Sequence, residues 1–261
     1  MKQLNYQQQG TGKHVLLIHG LFGSLENLNM VAKVLSEQYC VTSVDVRNHG
    51  GSFHENGMSY PLLAQDVINL LDHLGIQNTD ILGHSMGGKI AMQIALDFPG
   101  RVNRLIIADI SPVSYPAHHL TIIEGLQSID LSKIIKRSDA DLQLGQYVDN
   151  KGIRQFLLRN LAMTKTADGV LSFSFKCSLT NISKSYSQIM EGYLGDKKFS
   201  GDTLFIKGGD SDYIQPQHKK RITTLLPNSK VKIIQGAGHW LHAEKTVAFN
   251  KIVSDFLSKQ N

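Results

Sequence analysis

Apolar and polar positions along the first half of the chain follow two alternating rhythms. Short apolar runs, His14 to Ile18 (HVLLI), Val41 to Val46 (VTSVDV), Ile81-Leu82 and Arg104 to Ile110 (RLIIADI), read as buried strands. Between them, apolar residues recur at helical spacing: Leu28, Val31 and Leu35, then Leu63, Val67, Leu70 and Leu74 with Pro61 near the start. A third stripe, Ile90, Ala91, Ile94, Ala95 and Phe98, is stopped by Pro99-Gly100. Strand–helix alternation of this kind predicts an α/β fold, a mostly parallel central sheet flanked by helices.

From Ser111 to about Gly201 the rhythm breaks. Gly152 to Leu161 reads as helical, Asp168-Gly169 as a turn and Val170 to Phe175 as an extended alternation. The pattern predicts a mainly helical cap, residues 111–201, inserted into a core domain made of 1–110 and 202–261. The α/β rhythm then resumes with Thr203 to Ile206, a helix around Gln217 to Leu226, Lys230 to Ile234, and a final helix near Leu241 to Leu257.

With 261 residues, 41% hydrophobic and 19% charged, the chain can bury one substantial core plus a small insertion. No apolar stretch approaches the roughly 20 residues that span a bilayer, and the N-terminus lacks the apolar region of a signal peptide. A cytoplasmic protein with Cys40 and Cys177 as free thiols is therefore expected. The net charge of +5 changes this picture little. Its lysines and arginines are interleaved with acids, and Lys219-Lys220-Arg221 reads as a solvated face. No nucleic-acid partner is expected; a general field attracting anionic substrates is the milder consequence. Nothing in the pattern sets an oligomeric state.

The chemistry concentrates at Gly83-His84-Ser85-Met86-Gly87-Gly88, a G-x-S-x-G sequence between a predicted strand and a predicted helix. A serine on such a turn is held in a strained conformation with its hydroxyl exposed, and Gly83 and Gly87 stand where a Cβ would meet the neighbouring strand and helix. Ligands of open parallel sheets sit beyond the carboxyl ends of the strands. The reactive residues that follow strands here are Ser85, Asp109, the Gly208-Gly209-Asp210-Ser211-Asp212 turn and His239. His239, in the chain order serine, aspartate, histidine, is the expected general base. Backbone N–H groups of Met86 and of Leu21 in the first turn would form the oxyanion hole, with Phe22 as the donor if that turn is shifted by one residue. His84, His19 and His49 are read as bracing residues, and His118 and His119 as surface residues or, alternatively, groups over the site. The H-x-x-H spacing of His239 and His242 lacks a convincing third ligand, so no metal is expected, and no cofactor. Position alone leaves three candidates for the acid: Asp109, Asp210 and Asp212.

His19-Gly-Leu-Phe-Gly-Ser24, Asp45-Val-Arg-Asn-His-Gly50, Gly83-His-Ser-Met-Gly-Gly-Lys89, Asp109-Ile-Ser-Pro-Val113 and Gly236-Ala-Gly-His-Trp-Leu-His-Ala-Glu-Lys245 together resemble the YbfF-type bacterial esterases of the α/β-hydrolase superfamily. The resemblance spans nearly the whole chain and is weakest through the cap. In many α/β-hydrolases the acid falls three residues after the glycine ending the penultimate strand; here that slot holds Ser211. The YbfF-type pattern also has serine there and takes its acid from the strand after the nucleophile. The resemblance thus implies a set of Ser85, Asp109, Ser211 and His239, with Asp210 and Asp212 as competing carboxylates. It implies a serine esterase or thioesterase-like hydrolase acting on small or acyl-chain esters, and acyl-CoA thioesters among them, through an acyl-enzyme. A carbon–carbon bond hydrolase using the same triad is the alternative reaction, and a non-catalytic ligand-binding protein of this fold the alternative class.

Overall fold

The computed structural model describes residues 2–165 and 171–259. Its strands are β1 (Tyr6–Gln9), β2 (Lys13–Ile18), β3 (Tyr39–Val44), β4 (Thr79–His84), β5 (Val102–Ala108), β6 (Leu161–Lys165), β7 (Leu171–Phe175), β8 (Asp202–Gly208) and β9 (Ser229–Ile234). Seven form one sheet in the order β1-β3-β2-β4-β5-β8-β9, while β6 and β7 pair separately and antiparallel. Within the sheet β1 runs antiparallel to β3, and the other neighbours pair in parallel.

Successive side chains of a strand point to opposite faces, so a sheet covered on both sides needs apolar residues at consecutive positions. In β2, Leu16 and Ile18 enter one core cluster while Val15 and Leu17 enter the other. Leu105 and Ile107 of β5 divide from Ile106 and Ala108 in the same way. Helices Tyr60–His73 and Met86–Asp97 close the first cluster; Asn29–Leu35 and Thr246–Leu257 close the second. Both faces are therefore sealed, leaving the strand ends as the place for chemistry.

The elements depart from the sequence pattern where tertiary pairing overrides it. β1 carries Tyr-Gln-Gln-Gln and shows no apolar alternation, because it is an edge strand with its middle residues exposed. β3 begins two residues earlier than its apolar run and ends at Val44, which releases Asp45 and Val46 into the following turn. Helix Lys151–Leu157 tightens into a short 3-10 turn, Leu158–Asn160, and Leu161 opens β6 instead of ending a helix. The predicted final helix is two, Leu241–Glu244 and Thr246–Leu257, broken at Lys245, whose φ of −133° and ψ of 52° are not helical. The predicted Asp168-Gly169 turn and Val170 lie outside the described residues.

Register decides which residues meet at the sheet edge. Ile18 pairs with Gly83, His84 with Ala108, and Ala108 with Ile206. The carboxyl ends of β2, β4, β5 and β8 therefore lie nearly level. Two hydrogen bonds extend the ladder one step further, Ser85 N–H to Ala108 O at 3.0 Å and Asp109 N–H to Ile206 O at 2.9 Å. Between β5 and β8 the described chain forms helices Leu120–Gln127, Arg137–Leu144, Lys151–Leu157, Leu179–Lys184 and Tyr186–Met190 and the β6–β7 hairpin, none of which joins the large sheet.

Candidate active site

Ser85 sits between β4 and helix Met86–Asp97 with φ 53° and ψ −121°. A residue with a Cβ holds such a conformation at a cost of about 1–3 kcal/mol, and only where its surroundings over-determine it. The glycines on either side make the turn possible by close approach. A Cβ on Gly83 would strike the backbone of Gly87 and Gly88, and one on Gly87 would strike the carbonyl oxygens of Ile18 and His19. Gly20 is less crowded, but a Cβ there would still lie 3.2 Å from the Ser85 Cβ.

The Ser85 hydroxyl lies 2.9 Å from His239 Nε2, and His239 Nδ1 lies 2.8 Å from Asp109 Oδ2. The carboxylate can only accept, so Nδ1 carries the proton and Nε2 is free to accept from serine. Asp109 is fully buried, with a left-handed φ of 53°. Its Oδ1 accepts from Gly208 N–H at 3.0 Å, and its Oδ2 also accepts from the Ser211 hydroxyl. The buried charge is thus met by three donors. Asp210 and Asp212 are exposed, and neither carboxylate hydrogen-bonds His239 among the described residues. Ser85, His239, Asp109 and Ser211 form one hydrogen-bonded chain, drawn from the ends of β4, β5, β8 and β9.

At the first turn, Leu21 N–H and Met86 N–H have no protein acceptor among the described residues, and both residues border the space above Ser85. Phe22 N–H, the shifted alternative, is already given to His49 Nε2 at 3.2 Å. His19 fixes the neighbouring peptide: Val46 N–H donates to its Nε2 at 3.0 Å, so its Nδ1–H donates to Gly20 O at 2.8 Å. Gly23 N–H donates to the same oxygen at 3.0 Å. With the Gly20 carbonyl anchored twice, the trans peptide turns Leu21 N–H the opposite way.

These bracing imidazoles are neutral. Burial pushes His49 down to about 3 and His242 down to about 4, and it lowers His19 and His84 below the ordinary histidine value. His84 donates from Nε2 to His239 O at 2.8 Å and packs edge-on against His242, ring centres 4.4 Å apart. It holds the His239 backbone and lies outside the Ser85–His239–Asp109 hydrogen-bond chain.

A cavity of about 290 Å³ opens above Ser85. Leu21, Phe22, Leu28 and Trp240 line it from the sheet side, and Ile122, Ile153, Phe156 and Leu157 from the segment between β5 and β8. The wall is predominantly apolar, with the reactive groups confined to its floor. His118 and His119 also line this cavity, so they lie over the site instead of on a remote surface. Tyr213 was not singled out by sequence, yet its ring stacks on the His239 imidazole, centres 3.9 Å apart and 20° between planes. Its hydroxyl donates to His118 Nε2 at 2.8 Å and accepts from His119 Nε2 at 3.3 Å. Lys89 is buried behind Ser85, where Nζ donates to Glu191 O at 2.6 Å and Met190 O at 3.2 Å, and desolvation pulls it down to about 7.

Comparison with known proteins agrees with the fold. Residues 13–129 match the α/β hydrolase fold family. The Escherichia coli esterase YbfF is 33% identical across 97% of this chain and 96% of its own. The Mus musculus sn-1-specific diacylglycerol lipase ABHD11 is 38% identical across 94% of this chain and 80% of its own. A marine microorganism esterase of solved structure superposes with a TM-score of 0.93 at 36% identity, covering 98% of this chain and 100% of that one. The fold, the strand-end chemistry and these relatives lead to one conclusion: the chain belongs to the α/β-hydrolase superfamily and resembles its YbfF-type esterases.

Proposed function

We propose that the protein is a serine carboxylic-ester hydrolase working through an acyl-enzyme on Ser85. The observation that carries the reading is the continuous Ser85–His239–Asp109 hydrogen-bond chain at the floor of an apolar cavity. In the first step Ser85 Oγ attacks the ester carbonyl while its proton passes to His239 Nε2. Asp109 holds the tautomer and offsets the imidazolium charge, and Ser211 fixes the carboxylate by its hydroxyl. The N–H groups of Leu21 and Met86 receive the oxyanion, where each such donor contributes roughly 3–4 kcal/mol. His239 returns the proton to the leaving alcohol, and water repeats the sequence in reverse to free the acid.

Residues 111–201 act in this scheme as a cap over the core of 1–110 and 202–261. The apolar wall that the cap contributes suits an aliphatic or aryl acyl chain more than a charged one. Substrates are therefore esters with apolar chains. The relatives' names extend the panel to acylglycerols, and the family resemblance extends it to acyl-CoA thioesters.

The test is hydrolysis of p-nitrophenyl esters of graded chain length, with acylglycerols and acyl-CoA alongside, by wild type and Ser85→Ala. Turnover in the wild type and its loss to background in the folded variant is expected. Equal rates in the two proteins would refute the reading.

A further inference from the structure

Four described residues other than glycine hold a positive φ: Phe22 at 58°, Asn48 at 63°, Ser85 and Asp109. The last two belong to the catalytic chain. Phe22 and Asn48 do not, and each needs outside support to stay in this conformation. Phe22 receives it from the cap at its carbonyl, and Asn48 from both the cap and its own loop, through Phe53 O, Glu55 O and Glu55 N–H. Asn160 Nδ2 donates to Phe22 O at 2.5 Å. Ser178 N–H donates to Asn48 O at 2.9 Å, and Asn181 Nδ2 donates to Asn48 Oδ1 at 3.0 Å.

The two supported turns are themselves joined. His49, next to Asn48, accepts from Phe22 N–H at Nε2. Phe22 is therefore gripped at both ends: its carbonyl by Asn160 directly, its N–H by a turn that Ser178 and Asn181 secure. Leu21, whose N–H the proposed mechanism uses, is the preceding residue. Asn160 is a firm holder. It is buried, its Nδ2 also donates to Leu157 O at 3.2 Å, and its own carbonyl accepts from Lys176 N–H at 2.8 Å. It borders neither the cavity nor Ser85.

We propose that Asn160, backed by Asn181, is a positioning residue that holds the oxyanion hole in register from the cap. The cap then does more than shape the pocket: the peptide whose carbonyl Asn160 holds also carries Gly23 N–H, which with His19 anchors Gly20 O and so helps to aim Leu21 N–H. A cap displaced from these turns leaves Ser85 and His239 paired but the oxyanion without one of its donors. This inference rests on the serine-hydrolase reading above.

The experiment uses Asn160→Ala, Asn160→Asp, which puts an acceptor against the Phe22 carbonyl, and the half-buried Asn181→Ala. Each is compared with wild type for kcat, KM, thermal unfolding and inhibition by an arylboronic acid, whose tetrahedral adduct on Ser85 places an oxygen in the hole. Misplacement of a catalytic group by about 1 Å costs about 100-fold in rate, so the Asn160 variants should lose about 10- to 100-fold in kcat. KM should stay within about threefold, and the boronate Ki should rise in parallel with the loss in kcat/KM. The acid limb of the pH profile should not move, because His239 and Asp109 are untouched. Asn181→Ala should lose a smaller amount with the same signature. A folded Asn160 variant whose kcat matches wild type, or one that changes KM alone with unaltered boronate binding, overturns the proposal. If the Asn160 variants do not fold, Asn181→Ala decides, and an unchanged kcat there overturns it equally. Wild-type turnover retained in Ser85→Ala would remove the serine-hydrolase reading and this inference together. Ser85-dependent turnover that is indifferent to Asn160 and Asn181 removes the inference alone.

Discussion

Replacing Asp109 with asparagine should inactivate the enzyme by choosing the wrong histidine tautomer, and the surroundings dictate which way the new amide faces. Oδ1 of Asp109 accepts from Gly208 N–H, while Oδ2 faces His239 Nδ1 and the Ser211 hydroxyl. In Asp109→Asn the amide oxygen must stay on Gly208 N–H, because the reverse orientation sets two buried donors against each other at a cost of about 1–3 kcal/mol. The NH₂ group then points at His239 Nδ1 and forces that nitrogen to accept. The proton moves to Nε2, where it blocks uptake of the Ser85 proton. The productive flip is populated only about 1 part in 5 to 1 part in 150 from that penalty alone. Loss of the charge that offsets the imidazolium adds to it. Together kcat should fall about 10³- to 10⁴-fold, the size seen when the same change is made in a serine protease triad.

The assay is steady-state hydrolysis of a p-nitrophenyl ester, with circular dichroism to establish that the variants are folded. Asp210→Asn and Asp212→Asn, at exposed carboxylates, serve as controls and should stay within about twofold of wild type, as exposed substitutions usually do. A folded Asp109→Asn retaining more than a tenth of wild-type kcat, with Asp210→Asn or Asp212→Asn falling a hundredfold, would refute the reasoning.

Ser211→Ala removes one donor from the Asp109 carboxylate but leaves the Gly208 and His239 contacts, so kcat should drop about 10- to 150-fold, the worth of one hydrogen bond to a charged group; steady-state kinetics on the folded variant checks it. Gly87→Ala should fail to fold or unfold at much lower denaturant, because its Cβ meets the carbonyls of β2 and the following turn. Acid should destabilise the fold between pH 6.5 and 4. His242 is lowered to about 4, so the unfolded chain binds more protons in that window, and the stabilisation present at pH 7 is lost as pH falls through it. His242→Phe should flatten the dependence of the urea midpoint on pH over this range by about one proton. An unchanged slope would exclude His242 as the source.

Much of this site is legible in the sequence, for a physical reason. A serine on a strand-to-helix turn needs glycines at fixed distances, and strands sealed on both faces need unbroken apolar runs, so Gly83, Gly87, β2 and β5 announce themselves locally. The carboxylate partner of His239 was less legible. Asp109, Asp210 and Asp212 all follow strands, and only the family resemblance ranked them; spacing says nothing about which carboxylate the Gly208 N–H and Ser211 hydroxyl will face. Tyr213 and Asn160 left no signal at all. Tyr213 acts through ring stacking on a residue of another strand end, and Asn160 through a backbone carbonyl 138 residues away. A backbone acceptor has no side-chain identity to read. β1 was missed for a related reason, since an exposed edge strand has no apolar face to display.

The level strand ends have a consequence for the chain as it is made. The groups of the hydrogen-bonded chain sit at positions 85, 109, 211 and 239, on four neighbouring strands whose order in the sheet is also their order of synthesis. The serine turn can form once β4 and its helix are in place, but the imidazole arrives only after β8 and β9 have docked across crossovers of high sequence separation. A chain lacking β9 and the turn after it therefore presents Ser85 without the His239 imidazole beside it. Turnover by this set would therefore report that all four strand ends have been brought together.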